Sequence, residues 1–136
     1  MKVSIVSGDI TGFDGDVIVN AANPVMLGGG GVDGAIHRAA GPALREACAL
    51  VWQNGDGIRC PVGHVRPTPA FRLKCKWVFH TVGPIFKIQR SGPPHAGESP
   101  AGDKNPDQEL MNCFRRAGAI AVAMGLRSIA FPAIST

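Results

Sequence analysis

Two neighbouring stretches concentrate the residue types able to do chemistry: Asn20-Ala21-Ala22-Asn23, and Leu27-Gly28-Gly29-Gly30-Gly31-Val32-Asp33-Gly34. Consecutive glycines let main-chain N–H groups approach an anion without Cβ interference, and a helix opening just beyond them adds the positive end of its dipole. The physical reading is a phosphate cradle. It is not a Walker loop, because no Gly-Lys-Ser/Thr follows, and the glycine spacing does not fit GxGxxG. A glycine run by itself reads better as a flexible surface turn. Two asparagines before it and a carboxylate after it, in a chain rich in buried strands, favour the cradle. Asp33 is the sharpest catalytic candidate, since a carboxylate there can orient or deprotonate a water or a hydroxyl. The plainer alternative is a helix N-terminal acid matching the dipole, worth about 0.3–1 kcal/mol, and spacing alone favours it. His37, four residues on, shares the helical face of Asp33.

The elements that must hold these residues are read from periodicity and turn signals. Residues 2–7 (KVSIVS) predict a strand. Residues 16–22 (DVIVNAA) predict one covered on both faces, ended by Asn23-Pro24. Helical spacing covers residues 36–40 and 42–53, with Pro42 suited to a first turn. Ala43, Leu44, Ala47, Leu50 and Val51 should form the buried stripe of the second helix. Residues 64–70 (HVRPTPA) predict a weak strand that its two prolines confine to a sheet edge. Residues 77–82 (WVFHTV) and 128–133 (SIAFPA) predict buried strands. A helix over 107–124 should bury Leu110, Phe114, Ala117, Ala121 and Met124 and stop at Gly125. Residues 87–108 are polar and read as a flexible surface loop. Strands alternating with amphipathic helices argue for an α/β sandwich with a mostly parallel sheet, whose ligands bind at the carboxyl ends of strands.

The bulk numbers agree with a single domain. The 136 residues are 45% hydrophobic and 18% charged, enough for one core. Eighteen glycines and eleven prolines cluster rather than repeat, which excludes collagen-like and low-complexity chains. The net charge of +4 mildly favours an anionic ligand. Aromatic residues make up 6% with no tyrosine, so the basic residues Arg38, Arg59, Arg66, Arg72, Lys74 and Lys76 lack the stacking partners of a dedicated nucleic-acid surface, and specific nucleic-acid binding is not expected. Cys48, Cys60, Cys75 and Cys113 form no CxxC pair. Reduced thiols in a cytoplasmic protein are expected, and Cys60, His64, Cys75 and His80 lack zinc spacing, so no metal is expected. The N-terminus reads as neither signal peptide nor membrane span.

The run NAANPVMLGGGGVDGAIHRAAG over residues 20–41 resembles the signature of the MacroD-type macrodomains. Further pieces follow in the family's order: Gly8-Asp9-Ile10-Thr11, Cys60-Pro61-Val62-Gly63, His80-Thr81-Val82-Gly83-Pro84 and Phe131-Pro132-Ala133-Ile134-Ser135-Thr136. The resemblance covers almost all of the chain outside 87–108. It implies one three-layer α/β/α sandwich over residues 1–136, with a mixed, mostly parallel sheet. It also implies an ADP-ribose ligand, free or on ADP-ribosylated proteins, and no cofactor. By that resemblance Asp9 accepts from the adenine amino group and the Ile10 N–H contacts the ring. Gly28, Gly29, Gly30, Gly31 and Val32 face the diphosphate through main-chain N–H groups. Asn23 holds the distal ribose, and Asn23 with Asp33 carries catalysis. Asn20 orders the backbone between strand and loop, His37 and His80 pack behind the site, and Ser135 and Thr136 open a second phosphate loop. Asp9 also reads as a turn cap. The implied activity is hydrolysis of the ester between ADP-ribose and acidic side chains, or of O-acetyl-ADP-ribose. A reader that binds without turnover is the alternative.

The family pattern continues past the Ile-Ser-Thr segment with a loop, a strand and helices. The chain as read is therefore expected to be a C-terminally incomplete macrodomain, lacking that strand and those helices. On that expectation the 136-residue piece alone binds ADP-ribose poorly and tends to aggregate, through exposed sheet edges.

Overall fold

A computed structural model describes residues 7–85 and 105–134. The strand expected over 2–7 lies outside them apart from Ser7, as do most of the 87–108 segment and both Ser135 and Thr136.

Four strands form one sheet in the order β2-β3-β1-β4. The central strand β1 (Val17–Ala21) runs parallel to β3 (Trp77–Thr81) and to β4 (Ile129–Ala130). β2 (Val65–Pro69) pairs antiparallel with β3 at the edge, where its two prolines withhold no ladder bond from a second neighbour. The sheet is therefore mixed and mostly parallel. Alternation along β1 and β3 divides the core in two. Ile18 and Val78 face α1 (Gly31–Ala40) and α2 (Pro42–Ala49), packing with Ile36, Ala40, Leu44 and Cys48. Val17, Val19 and Phe79 face α3 (Pro106–Ala123), against Cys113, Ala117 and Ala121. Helices thus cover both sides of the sheet, giving the three layers expected.

The helix boundaries depart from the periodicity in instructive ways. α1 starts at Gly31 rather than Ile36, so the fourth glycine and Gly34 both lie inside it. Gly41, at φ 85°, separates α1 from α2 and places Pro42 at the first position of α2. α2 ends at Ala49, short of the expected 53, which leaves Leu50 outside the helix and 87% exposed instead of in its stripe. α3 begins at Pro106, within the segment expected to be loop, because the Asn105 side chain accepts from the Asp107 N–H and caps it. Its buried face is Cys113, Ala117 and Ala121, whereas Phe114 and Met124 are 38% and 39% exposed. β4 is short and only half-buried, not the buried strand expected over 128–133.

Asp16 ties β1 to β4 at their amino ends. Its Oδ2 accepts from the Arg127 N–H at 2.7 Å and the Ser128 N–H at 3.3 Å, with Lys76 Nζ 3.4 Å from Oδ1. The Arg127 bond does most to hold its carboxyl below the ordinary 3.8, aided by Lys76 and Ser128. A depressed folded-state pKa contributes stability that is present above the unfolded value and lost as pH falls through the folded one. Acid titration followed by circular dichroism should therefore show part of the low-pH loss, below about pH 4, disappear in Asp16→Asn. An identical acid limb in the variant would contradict this role.

Candidate functional site

The site forms where β1 leaves the sheet. Asn20 is the penultimate residue of β1 and is fully buried; Asn23 lies three residues on and is exposed. The Asn23 side chain closes the bend on itself: Oδ1 accepts from the Met26 N–H at 3.0 Å and Nδ2 donates to the Gly28 carbonyl at 3.0 Å. Met26, at φ 65°, is buried and anchors the loop into the core.

The loop is held by its carbonyl oxygens. That of Pro24 accepts from the N–H groups of Arg59 (2.8 Å) and Cys60 (3.1 Å). Arg59 Nη1 reaches the Val25 carbonyl at 3.0 Å and Arg45 Nε the Leu27 carbonyl at 3.0 Å. With the oxygens so engaged, Gly29, Gly30 and Gly31 lie exposed at the opening of α1. Gly30 is the N-cap and makes no side-chain cap bond, and the first-turn N–H groups of a helix have no intrahelical partner. Such a helix opening is where an anion cradle is expected. Five donors meet four loop carbonyls and fasten the loop. The sequence did not point to Arg45 and Arg59 as loop clamps; residue type does not tell an arginine bound to main-chain oxygens from a solvated one.

Asp33 lies in the first turn of α1 and is 4% exposed. Its Oδ1 accepts from Asn20 Nδ2 at 2.7 Å, and His37 Nε2 lies 3.4 Å away. The latter is a close polar contact only, because Nε2 makes no hydrogen bond. Oδ2 is buried without a hydrogen-bond partner. Both Asn23 and Asp33 border the same point: a Cβ built on Gly29 would stand 3.1 Å from Asp33 Oδ2 and 3.2 Å from Asn23 Nδ2. The glycine loop therefore runs past an amide and a carboxylate at one place.

Asn20 departs from expectation. Its amide orders side chains, not the backbone: besides Asp33, Nδ2 lies 3.1 Å from His80 Nδ1. An amide nitrogen only donates, so His80 Nδ1 accepts, and the neutral ring carries its proton on Nε2, directed to Thr68 Oγ1 at 2.9 Å. Burial, with a smaller contribution from His37, pushes His80 down to about 3, which keeps it neutral. The His37 and His80 rings lie 6.4 Å apart, centroid to centroid, tilted by 42°. Cys48 Sγ lies 3.7 Å from His80 Nε2, but burial raises this thiol to about 11, unsuited to nucleophilic work at neutral pH.

Asp9 sits on a separate loop and caps the 3-10 turn Ile10–Gly12, accepting from the Thr11 N–H at 2.9 Å and Thr11 Oγ1 at 2.8 Å. The Thr11 backbone bond, then its hydroxyl, holds the carboxyl below its ordinary value. Ile10 packs on the α1/α2 side of the core. No described helix is long and apolar enough to cross a membrane.

Fold and site together define the class: an α/β sandwich with a glycine loop at the carboxyl end of a central parallel strand. The Macro domain family model matches residues 19–136, and the chain belongs to that family. The O-acetyl-ADP-ribose deacetylase of Escherichia coli K12 is 48% identical over 136 residues, covering 99% of this chain and 68% of that protein. The Oceanobacillus iheyensis macrodomain with ADP is 43% identical with a TM-score of 0.76, covering 94% of this chain and 61% of that one. The Trypanosoma brucei macrodomain in complex with ADP-ribose is 41% identical with a TM-score of 0.71, covering 94% and 45%. The chain thus spans about two thirds or less of the length of these relatives.

Proposed function

We propose that this protein binds ADP-ribose in the glycine loop and hydrolyses an ester on its distal ribose, with O-acetyl-ADP-ribose as substrate. The carrying observation is the shared border of Asn23 Nδ2 and Asp33 Oδ2 at Gly29, beside a helix N-terminus with no side-chain cap. The main-chain N–H groups of Gly28 to Val32 receive the diphosphate. The Asn23 amide, with donor and acceptor, suits the hydroxyls of the ribose beyond it. Asp9 and the Ile10 N–H receive the adenine; the Asp9 cap leaves room for that role, since one carboxylate accepts several donors. Ser135 and Thr136, outside the described residues, open a second phosphate loop in this reading.

Catalysis rests on Asp33. Its Oδ2 orients a water and draws off its proton as the water oxygen bonds to the acyl carbon. The acyl carbon–ribose oxygen bond then breaks, the ribose oxygen takes a proton, and acetate and ADP-ribose leave. An ester to a glutamate or aspartate side chain presents the same bond, so release of ADP-ribose from acidic protein side chains is the second substrate class. The deacetylase relatives and the ADP-ribose-bound macrodomain support this reading.

The test is liberation of acetate from O-acetyl-ADP-ribose, followed by proton NMR beside calorimetric titration with ADP-ribose. Acetate release with competitive inhibition by ADP-ribose is the expected result. Binding without acetate release would make the protein a reader, and absence of both would end the proposal.

A further inference from the structure

Resting on that reading of Asp33, we infer that Asn20 is a positioning residue for catalysis, holding the Asp33 carboxylate through a buried relay that runs Thr68–His80–Asn20–Asp33. The relay crosses three strands and reaches one helix: Thr68 is on β2, His80 on β3, Asn20 on β1 and Asp33 on α1. Three of its contacts are 2.9, 3.1 and 2.7 Å long, and all four residues are buried.

Each step constrains the next. Thr68 Oγ1 accepts a hydrogen bond from the Nε2–H of His80, leaving Nδ1 as an acceptor. That acceptor occupies one hydrogen of Asn20 Nδ2, and the other goes to Asp33 Oδ1. The amide is thereby fixed in one orientation: a flip would set its oxygen against both a lone pair and a carboxylate. Asp33 in turn has Oδ1 committed to the interior, and Oδ2 is left without a partner beside Gly29. A carboxylate on an isolated first helical turn could rotate; here Oδ1 is held by Asn20 and Oδ2 is the oxygen turned toward Gly29 and Asn23. Asn20 Oδ1 is itself buried without a partner, a cost with no return for packing alone.

The experiment compares Asn20→Ala and Thr68→Val with the parent protein in O-acetyl-ADP-ribose turnover, ADP-ribose calorimetry and thermal melting. Loosening a reacting group's placement typically costs turnover by up to about a hundredfold, so Asn20→Ala should lose roughly ten- to hundredfold in kcat. Its affinity for ADP-ribose should stay within about threefold of the parent, because Asn20 is fully buried and the proposed ligand contacts are made by other residues. Thr68→Val keeps the shape and removes only the far acceptor, and should lose about threefold in kcat with affinity retained. Unchanged kcat in folded Asn20→Ala overturns the inference, as does a loss of affinity that matches the loss of kcat. Should Asn20→Ala fail to fold, Thr68→Val decides by the same split. A parent protein that binds ADP-ribose but releases no acetate removes the hydrolase reading and this one with it, whereas active parent with unaffected variants removes this one alone.

Discussion

Replacing Asp33 with alanine is expected to cut acetate release by roughly 10²-fold or more, the usual scale for loss of a general base. ADP-ribose binding should survive, because the proposed diphosphate contacts are main-chain. Alanine also strands a buried Asn20 N–H, a loss of about 1–3 kcal/mol in stability, so a second variant separates chemistry from folding. Asp33→Asn keeps the shape and an oxygen able to accept from Asn20, but lacks the carboxylate. It should melt near the parent, bind ADP-ribose and still lose turnover to a similar degree. Steady-state kinetics on both variants check this: turnover within threefold of the parent in each would remove Asp33 from the mechanism.

The second large effect concerns a glycine outside the run. Gly34 lies within α1, where alanine would ordinarily stabilise the helix by about 0.8–1.0 kcal/mol. A Cβ there would stand 2.5 Å from the Gly29 carbonyl oxygen and 3.1 Å from Arg38 Nη1. The first neighbour is backbone, so the loop itself must move. Overpacking of this kind costs about 1–3 kcal/mol and outweighs the helix gain. Gly34→Ala should therefore lower stability in urea and weaken ADP-ribose binding more than tenfold, as the cradle is pushed off its helix. Gly30→Ala is the control for stability: no atom lies within 4 Å of its Cβ and its φ of −91° suits alanine. A melt of Gly34→Ala at or above that of the parent would show that the loop yields freely.

The two results bear on how far the sequence carries. The glycine run, Asn23 and Asp33 were legible because their types are chemically distinctive and close along the chain, and the three layers followed from apolar strands alternating with helices. Other features depend on long-range contacts. His80 and Thr68 sit 60 and 48 positions from Asn20, so nothing local links them; their strands bring them into register, Asn20 opposite His80 and His80 opposite Arg66. The start of α1 was misplaced because glycine is a poor helix former, yet Gly31 and Gly34 are helical: the helix must begin at the cradle, and Gly34 must pass close to the Gly29 carbonyl. Leu50 read as core by spacing, but α2 stops one residue before it. Phe114 and Met124 fit an apolar stripe, while the smaller Cys113, Ala117 and Ala121 let α3 approach the sheet.

The tethering of loop carbonyls by Arg45, Arg59 and Cys60 has a consequence for selectivity. A receptor whose walls are fastened before its guest arrives spends little freedom on closing, and it also has little room to adapt. Anions of another length or charge spacing would meet a fixed contour. They would have to break a guanidinium contact to reshape it, so on the proposed function discrimination among nucleotides would rest on fit in the resting state and not on remodelling after encounter.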